Sequence, residues 1–160
     1  GTSYLFNEVK EGDSLKLRGP LGKFVLPEVL NLDKEICFVC TGTGIAPFRA
    51  MLHTIKNNNI PHPKMHLVFG TRTENYILYR QEMIEMQKEW PNFTYHICLS
   101  RETIEGCERG YVHKVYEKLY ADKRPTVFYL CGWNVMLDEA RERLKNMGYE
   151  KKDVRFESYG

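Results

Sequence analysis

The chain has 160 residues, 42% hydrophobic and 28% charged, enough for one well-buried core and too apolar for a disordered segment. A formal net charge of +2, with no five-residue run of lysines and arginines, leaves no electrostatic footprint for nucleic acid. No apolar run reaches the length of a membrane span and the N-terminal GTSYLFNEVKEGD lacks the basic-then-apolar order of a signal peptide, so a soluble, cytoplasmic protein is expected.

In chain order, residues 1–34 stand apart from the rest of the chain. Thr2 or Ser3 can cap a short helix through Val9, Gly12-Asp13 reads as a turn, and SLKLRG and GKFVL read as two strands separated by Gly19-Pro20-Leu21-Gly22. This pattern suggests the end of another domain, and a first residue that is glycine rather than methionine fits an excised fragment or a processed chain. From residue 35 onward strand patterns alternate with helix patterns. Short apolar or β-branched runs at 36–40, 66–70, 94–99 and 127–131, with a fifth at 154–157, predict strands. Helical patterns lie between them at 47–56, 78–90, 112–120 and 134–147, the last stopped by Gly148. Such alternation predicts an α/β domain with a five-stranded parallel sheet, Rossmann-like, covered on both faces and joined by right-handed crossovers. Tyr76 and Tyr79 fall at the start of the second helical pattern, where packing is the expected role for at least one.

The five cysteines read as reduced thiols. Cys37 and Cys40 spell CxxC, yet residues three apart on a strand point to opposite faces and no second pair completes a zinc site, so both are expected in the core. The five histidines show no metal-ligand spacing, and GxSxG is absent.

The segment EICFVCTGTGIAPFRAML carries the most chemistry. A buried strand runs into Thr41-Gly42-Thr43-Gly44 and then into Ile45 and Pro47, where proline suits the first turn of a helix. Exposed backbone N–H groups and the positive end of the helix favour a phosphate there. The spelling departs from GxGxxG, with proline in place of the third glycine, and Phe69-Gly70-Thr71-Arg72 offers no acidic residue for a ribose 2′-OH. The other loops that follow strands, 71–75, 100–110 and 132–134, converge on the same crevice outside the carboxyl ends of the strands, and Glu157-Ser158-Tyr159 lies at that edge.

TGTGIAPFRAML, the upstream GDSLKLRGPLGKF, LSRE at 99–102, ERGYV at 108–112, YLCGW at 129–133 and the terminal FESY resemble the ferredoxin–NADP reductase family, in the family's order and over essentially the whole chain. The resemblance implies an NADP(H)-binding domain at 35–160, preceded at 1–34 by the C-terminal fragment of an FAD-binding β-barrel. It implies a flavin-dependent oxidoreductase passing hydride between NADP(H) and FAD and exchanging electrons with ferredoxin, flavodoxin or a fused iron–sulfur domain. The flavin-holding motif of such proteins is absent, so the FAD site is partial, and a missing FAD-domain segment is an expected partner. Two other readings are a reductase domain of a multicomponent oxygenase and a nucleotide-binding module without turnover of its own.

By the same resemblance, Ser3 belongs to a turn at the FAD pyrophosphate, Thr43 lies near the nicotinamide, and the loop glycines with Thr41, Ile45 and Pro47 lie about the pyrophosphate. Ser100 and Arg101 form the natural 2′-phosphate site, a hydroxyl beside a planar guanidinium, while Arg109 and Tyr111 follow at the spacing of a basic residue and an adenine-stacking tyrosine. Cys131, with Gly132 beside it, corresponds to a cysteine that faces the reacting nicotinamide carbon; Glu157 and Tyr159 correspond to a glutamate that assists the transition state or proton delivery and a tyrosine that stacks on the flavin. Arg72 reads equally as a contact to the pyrophosphate or adenosine and as a surface charge. Trp133 stands where many relatives have another residue.

Overall fold

A computed structural model describes residues 2–158 apart from Leu17, Pro20 and Leu21. Helix α1 (Thr2–Asn7) opens the chain, and β1 (Glu35–Thr41) begins the alternating part. Then come α2 (Ile45–Asn57), β2 (Met65–Thr71), α3 (Arg80–Glu89), β3 (Phe93–Leu99), β4 (Glu108–Arg109), α4 (Val112–Leu119), β5 (Thr126–Gly132), α5 (Asn134–Asn146) and β6 (Val154–Ser158). The sheet order is β4-β3-β2-β1-β5-β6, and every neighbouring pair is parallel. The sheet has six strands where five were expected. The additional β4 is two residues long, too short to leave a periodic pattern, and pairs Cys98 with Glu108 and Leu99 with Arg109.

The strand period of two assigns side chains to opposite layers. On one face Phe38, Cys40, Leu67, Phe69, Tyr129 and Cys131 pack with α2 and α3 through Phe48, Leu52 and Met83. On the other, Cys37, Val39, Val68, Phe128 and Leu130 pack with α4 and α5 through Tyr116, Tyr120 and Leu137. Each large apolar side chain buried this way contributes roughly 1.5–3 kcal/mol. Cys37 and Cys40 are fully buried on opposite faces, as the strand geometry requires. Burial pushes both thiols well above their ordinary range, so they are packing groups.

The N-terminal segment differs from expectation. Gly12 turns the chain at φ +95° and Asp13 N–H donates to the Lys10 carbonyl at 3.1 Å, as the turn reading requires. The two expected strands at 14–19 and 22–26 are absent among the described residues, because no neighbouring backbone supplies a ladder there. Pro20 and Leu21 of the expected turn between them lie outside the described residues. Instead, Phe24 packs edge-on against Tyr129 at 5.8 Å and lies 5.9 Å from Phe48, while Leu30 enters the core.

The second helix pattern begins later than expected, at Arg80, because Tyr79 takes a left-handed conformation with φ +54°. Tyr76 and Tyr79 are 64% and 44% exposed, so neither is a core packing residue. Tyr79 instead carries the Arg49 guanidinium 4.7 Å from its ring centroid, and Glu82 accepts from Arg49 at 2.9 Å and contacts His53. That cluster ties the chain after β2 to α2.

Candidate nucleotide crevice

The direction of chain progression reverses at β1, with β2 on one side and β5 on the other. In parallel α/β sheets this switch point opens a crevice outside the carboxyl ends of the strands. Thr41 ends β1, Gly42–Gly44 form a 3-10 turn, and α2 starts at Ile45, which puts Pro47 in the helix's first turn. A side chain at Gly44 would stand 2.3 Å from the Cys131 carbonyl oxygen, so only glycine lets this turn meet the end of β5. Gly132 makes the reciprocal approach. Its φ is +153°, and an added Cβ would lie 2.3 Å from Thr41 Oγ1. By contrast, Gly42 has φ +53° with nothing within 4 Å of an added Cβ, so it faces open space. Thr41 Oγ1 is buried without a hydrogen-bond partner at this junction.

The sequence candidates divide by position. Thr41, Gly42, Thr43, Gly44, Cys131 and Gly132 converge at the β1–β5 junction, Cys131 through its backbone carbonyl, its thiol being wholly buried in the core. Glu157 joins them: it is the register partner of Cys131 on β6. The Ile45 side chain is wholly buried in the core and the Pro47 ring lines a groove with Phe24 and Met51, so neither side chain faces the crevice. Ser3 is exposed on α1, where the backbone hydrogen bonds are local, and no contact ties it to the junction among the described residues. Tyr159 lies outside the described residues.

The second group gathers at the β2–β3–β4 end. Ser100 N–H donates to the Thr71 carbonyl at 3.0 Å and Arg101 N–H to the Arg72 carbonyl at 2.9 Å, so the two chains stay paired past the sheet and set Arg72 beside Arg101. Arg109 is close by, its guanidinium donating to the Glu102 carbonyl at 3.1 Å. Arg72, Arg101 and Arg109 are exposed, and no carboxylate pairs with them among the described residues, whereas Arg49, Arg80, Arg124, Arg141 and Arg143 all have carboxylate partners. Three uncompensated guanidiniums at one end of a crevice attract an anion. Tyr111 stands beside them, 70% exposed, after Gly110. The pairing of Arg72 with Arg101 is a register fact that spacing along the chain does not display. Gly70 did leave a signal, as a lone glycine inside a strand: a Cβ there would meet Val112 Cγ1 at 2.7 Å, so it lets α4 approach the end of β2.

Residues 38–142 match the family model described as oxidoreductase NAD-binding domain. This chain belongs to that family. The resemblance to the ferredoxin–NADP reductases is thereby established. This NAD-binding domain is 28% identical over 158 residues to the toluate 1,2-dioxygenase electron transfer component of Pseudomonas putida, covering 99% of the chain and 46% of that protein. It is also 28% identical over 166 residues to a subunit of the Na(+)-translocating NADH-quinone reductase of Haemophilus influenzae, covering 99% of the chain and 39% of that protein. The chain thus spans less than half the length of these curated relatives. Its fold matches the Amycolatopsis cytochrome P450 reductase GcoB with a TM-score of 0.85, at 23% identity, over 98% of this chain and 47% of that one. A ferredoxin–NADP+ reductase from Plasmodium falciparum with 2′P-AMP matches with a TM-score of 0.67 at 26% identity, covering 87% of this chain and 57% of that one. No helix among the described residues is long and apolar enough to cross a membrane.

Proposed function

We propose that the NAD-binding domain is the NADP(H) module of a flavin-dependent reductase, with residues 35–160 holding the dinucleotide and residues 1–34 the C-terminal fragment of an FAD-binding barrel. The observation that carries this reading is the close approach of Gly44 to the Cys131 carbonyl, which joins the glycine turn to the end of β5, where Cys131 has Glu157 of β6 as its register partner. The residues fit the group. The open side of Gly42 and the start of α2 suit a pyrophosphate. The three arginines without carboxylate partners, with Ser100, suit the 2′-phosphate of NADP(H), and Tyr111 suits the adenine. Thr43 and the end of β5 at Cys131 and Gly132 would frame the nicotinamide end, the buried Cys131 thiol behind it and Glu157 beside Cys131 to hold or move a proton. Nicotinamide and flavin supply the hydride chemistry, and the protein's share is geometry and electrostatics.

Electrons leave one at a time to ferredoxin, flavodoxin or a fused iron–sulfur domain, in the cytoplasm. The relatives, an electron transfer component of a dioxygenase and a subunit of an NADH-quinone reductase, favour a second reading: the reductase arm of a multicomponent oxygenase or respiratory complex, using NADH. The two are separated by comparing this chain with its gene's full-length product for bound yellow flavin and for dye reduction by NADPH and NADH. The first reading expects dinucleotide binding in both proteins and NADPH-preferring turnover in the flavin-bearing one. A full-length product without flavin sinks both readings, and one that prefers NADH sinks the first.

A further inference from the structure

Trp133 is 73% exposed at the mouth of the crevice, and neither the core nor its helix explains it. It occupies the N-cap of α5 with φ −65° and ψ 142°, and its side chain makes no capping hydrogen bond. That position favours Ser, Thr, Asp or Asn, and a suitable asparagine stands one residue later as Asn134. An indole offers a large apolar surface, so leaving it in solvent forgoes the stabilisation that burial gives elsewhere. Local rules broken in this way concentrate at functional sites.

Its mount is rigid. Gly132, immediately before it, is wedged against Thr41, and an added Cβ would also meet Met136 Cε at 2.9 Å. The Trp133 carbonyl accepts from Leu137 N–H at 3.0 Å, and β5 is held between β1 and β6. At the far end of the same sheet edge, Tyr111 is 70% exposed beyond β4. Four strand spacings separate β4 from β5, about 19 Å, with the glycine turn of β1 between them. Two exposed aromatic faces flanking a phosphate cradle match a ligand built of two flat heterocycles joined through phosphates.

We propose that the Trp133 indole stacks on the nicotinamide end of the dinucleotide and is a positioning surface for it. The proposal rests on the dinucleotide-binding reading above. The test is calorimetric and fluorescence titration of the protein with NADP+ and with 2′-phospho-AMP, which lacks the nicotinamide. The chain has two tryptophans, and Trp90 lies at the opposite end of the strands beside His62 and Phe93, so quenching at the crevice reports Trp133. NADP+ is expected to quench the emission and 2′-phospho-AMP to leave it unchanged. Trp133→Ala should weaken NADP+ by about fivefold while sparing 2′-phospho-AMP, and Trp133→Phe, which keeps a ring, should restore the affinity without the quenching. Unchanged NADP+ affinity in Trp133→Ala, or equal loss for both ligands, overturns the stacking role while dinucleotide binding stands. No calorimetric binding of NADP+ to the unsubstituted protein overturns both.

Discussion

Replacing Gly44 by alanine sets two physical effects against each other, and the sign of the result identifies which one governs the crevice. Gly44 has φ −60° and ψ −8°, a right-handed conformation that any residue adopts. On backbone entropy alone, alanine there should stabilise the protein by about 0.4–1 kcal/mol. The new Cβ, however, would lie 2.3 Å from the Cys131 carbonyl oxygen and 2.7 Å from its carbon. Restoring ordinary contact moves the glycine turn or the end of β5 by about 1 Å, and overpacking of this kind costs roughly 1–3 kcal/mol. Both moving parts are backbone in a parallel sheet, so no flexible side-chain end is available to yield. The expected net result is a loss of about 1–2 kcal/mol, read as a fall in Tm of about 2–8 °C for a domain of this size. Thermal unfolding followed by circular dichroism measures it, with NADP+ calorimetry on the same variant. Gly42→Ala is the control. Nothing lies within 4 Å of its Cβ, so its cost is confined to the left-handed backbone, about 1–2 kcal/mol, and to whatever the open space receives. A Gly44→Ala protein with unchanged or raised Tm would refute the close approach on which the site is built.

Arg101→Ala should weaken 2′-phospho-AMP by at least about tenfold, the worth of a charge-assisted hydrogen bond, while NADH affinity changes little. An unchanged ratio of NADPH to NADH affinity removes Arg101 from the 2′-phosphate site, and Arg72→Ala tests its neighbour in the same assay. In the flavin-bearing full-length product, Cys131→Ala should slow NADPH-dependent dye reduction by about tenfold or more at nearly constant Kd, because misplacing the reacting carbon costs rate before affinity. A proportionate loss of affinity would make Cys131 a packing residue only. Stability should also fall in acid. Burial, with the neighbouring His96, Lys64 and Arg124, holds the His66 pKa down at about 4, although Glu35 Oε2 lies 3.8 Å from its Nε2. A histidine whose folded pKa is depressed contributes fully above its unfolded value, about 6.5, and loses that contribution as pH falls toward the folded one. Stabilities from urea unfolding at pH 7.5 and 5 should therefore differ by about 2 kcal/mol, and His66→Leu should reduce the difference. An acid sensitivity unaltered in the variant would place the titrating group elsewhere.

The elements most legible in the sequence were those whose signal is local. Strands such as β1 and β5 are buried on both faces and read as continuous apolar runs, and Gly148 stops α5 with φ +97° and a Tyr149 N–H to Leu144 carbonyl bond at 3.0 Å. What escaped depends on partners distant in sequence. GKFVL has strand chemistry, but no backbone pairs with it among the described residues, so Phe24 becomes a core contact instead of a ladder residue. Tyr79 has a helical spacing, yet its left-handed backbone moves the start of α3. In the crevice, TGTG marked the turn between β1 and α2, yet the reason Gly44 must be glycine is the carbonyl of Cys131, far along the chain. The neighbouring arginines Arg72 and Arg101 come from separate strands, and only their pairing past the sheet reveals one cationic surface.

The most direct test is isothermal titration of the protein with NADPH, NADH and 2′-phospho-AMP at low and moderate salt. Micromolar binding of NADPH, competed by 2′-phospho-AMP and weakened by salt, is the predicted result, since the adenosine end relies on exposed guanidiniums. Absence of NADPH binding at millimolar concentration, or binding that 2′-phospho-AMP fails to displace, would contradict the assignment of this crevice to NADP(H).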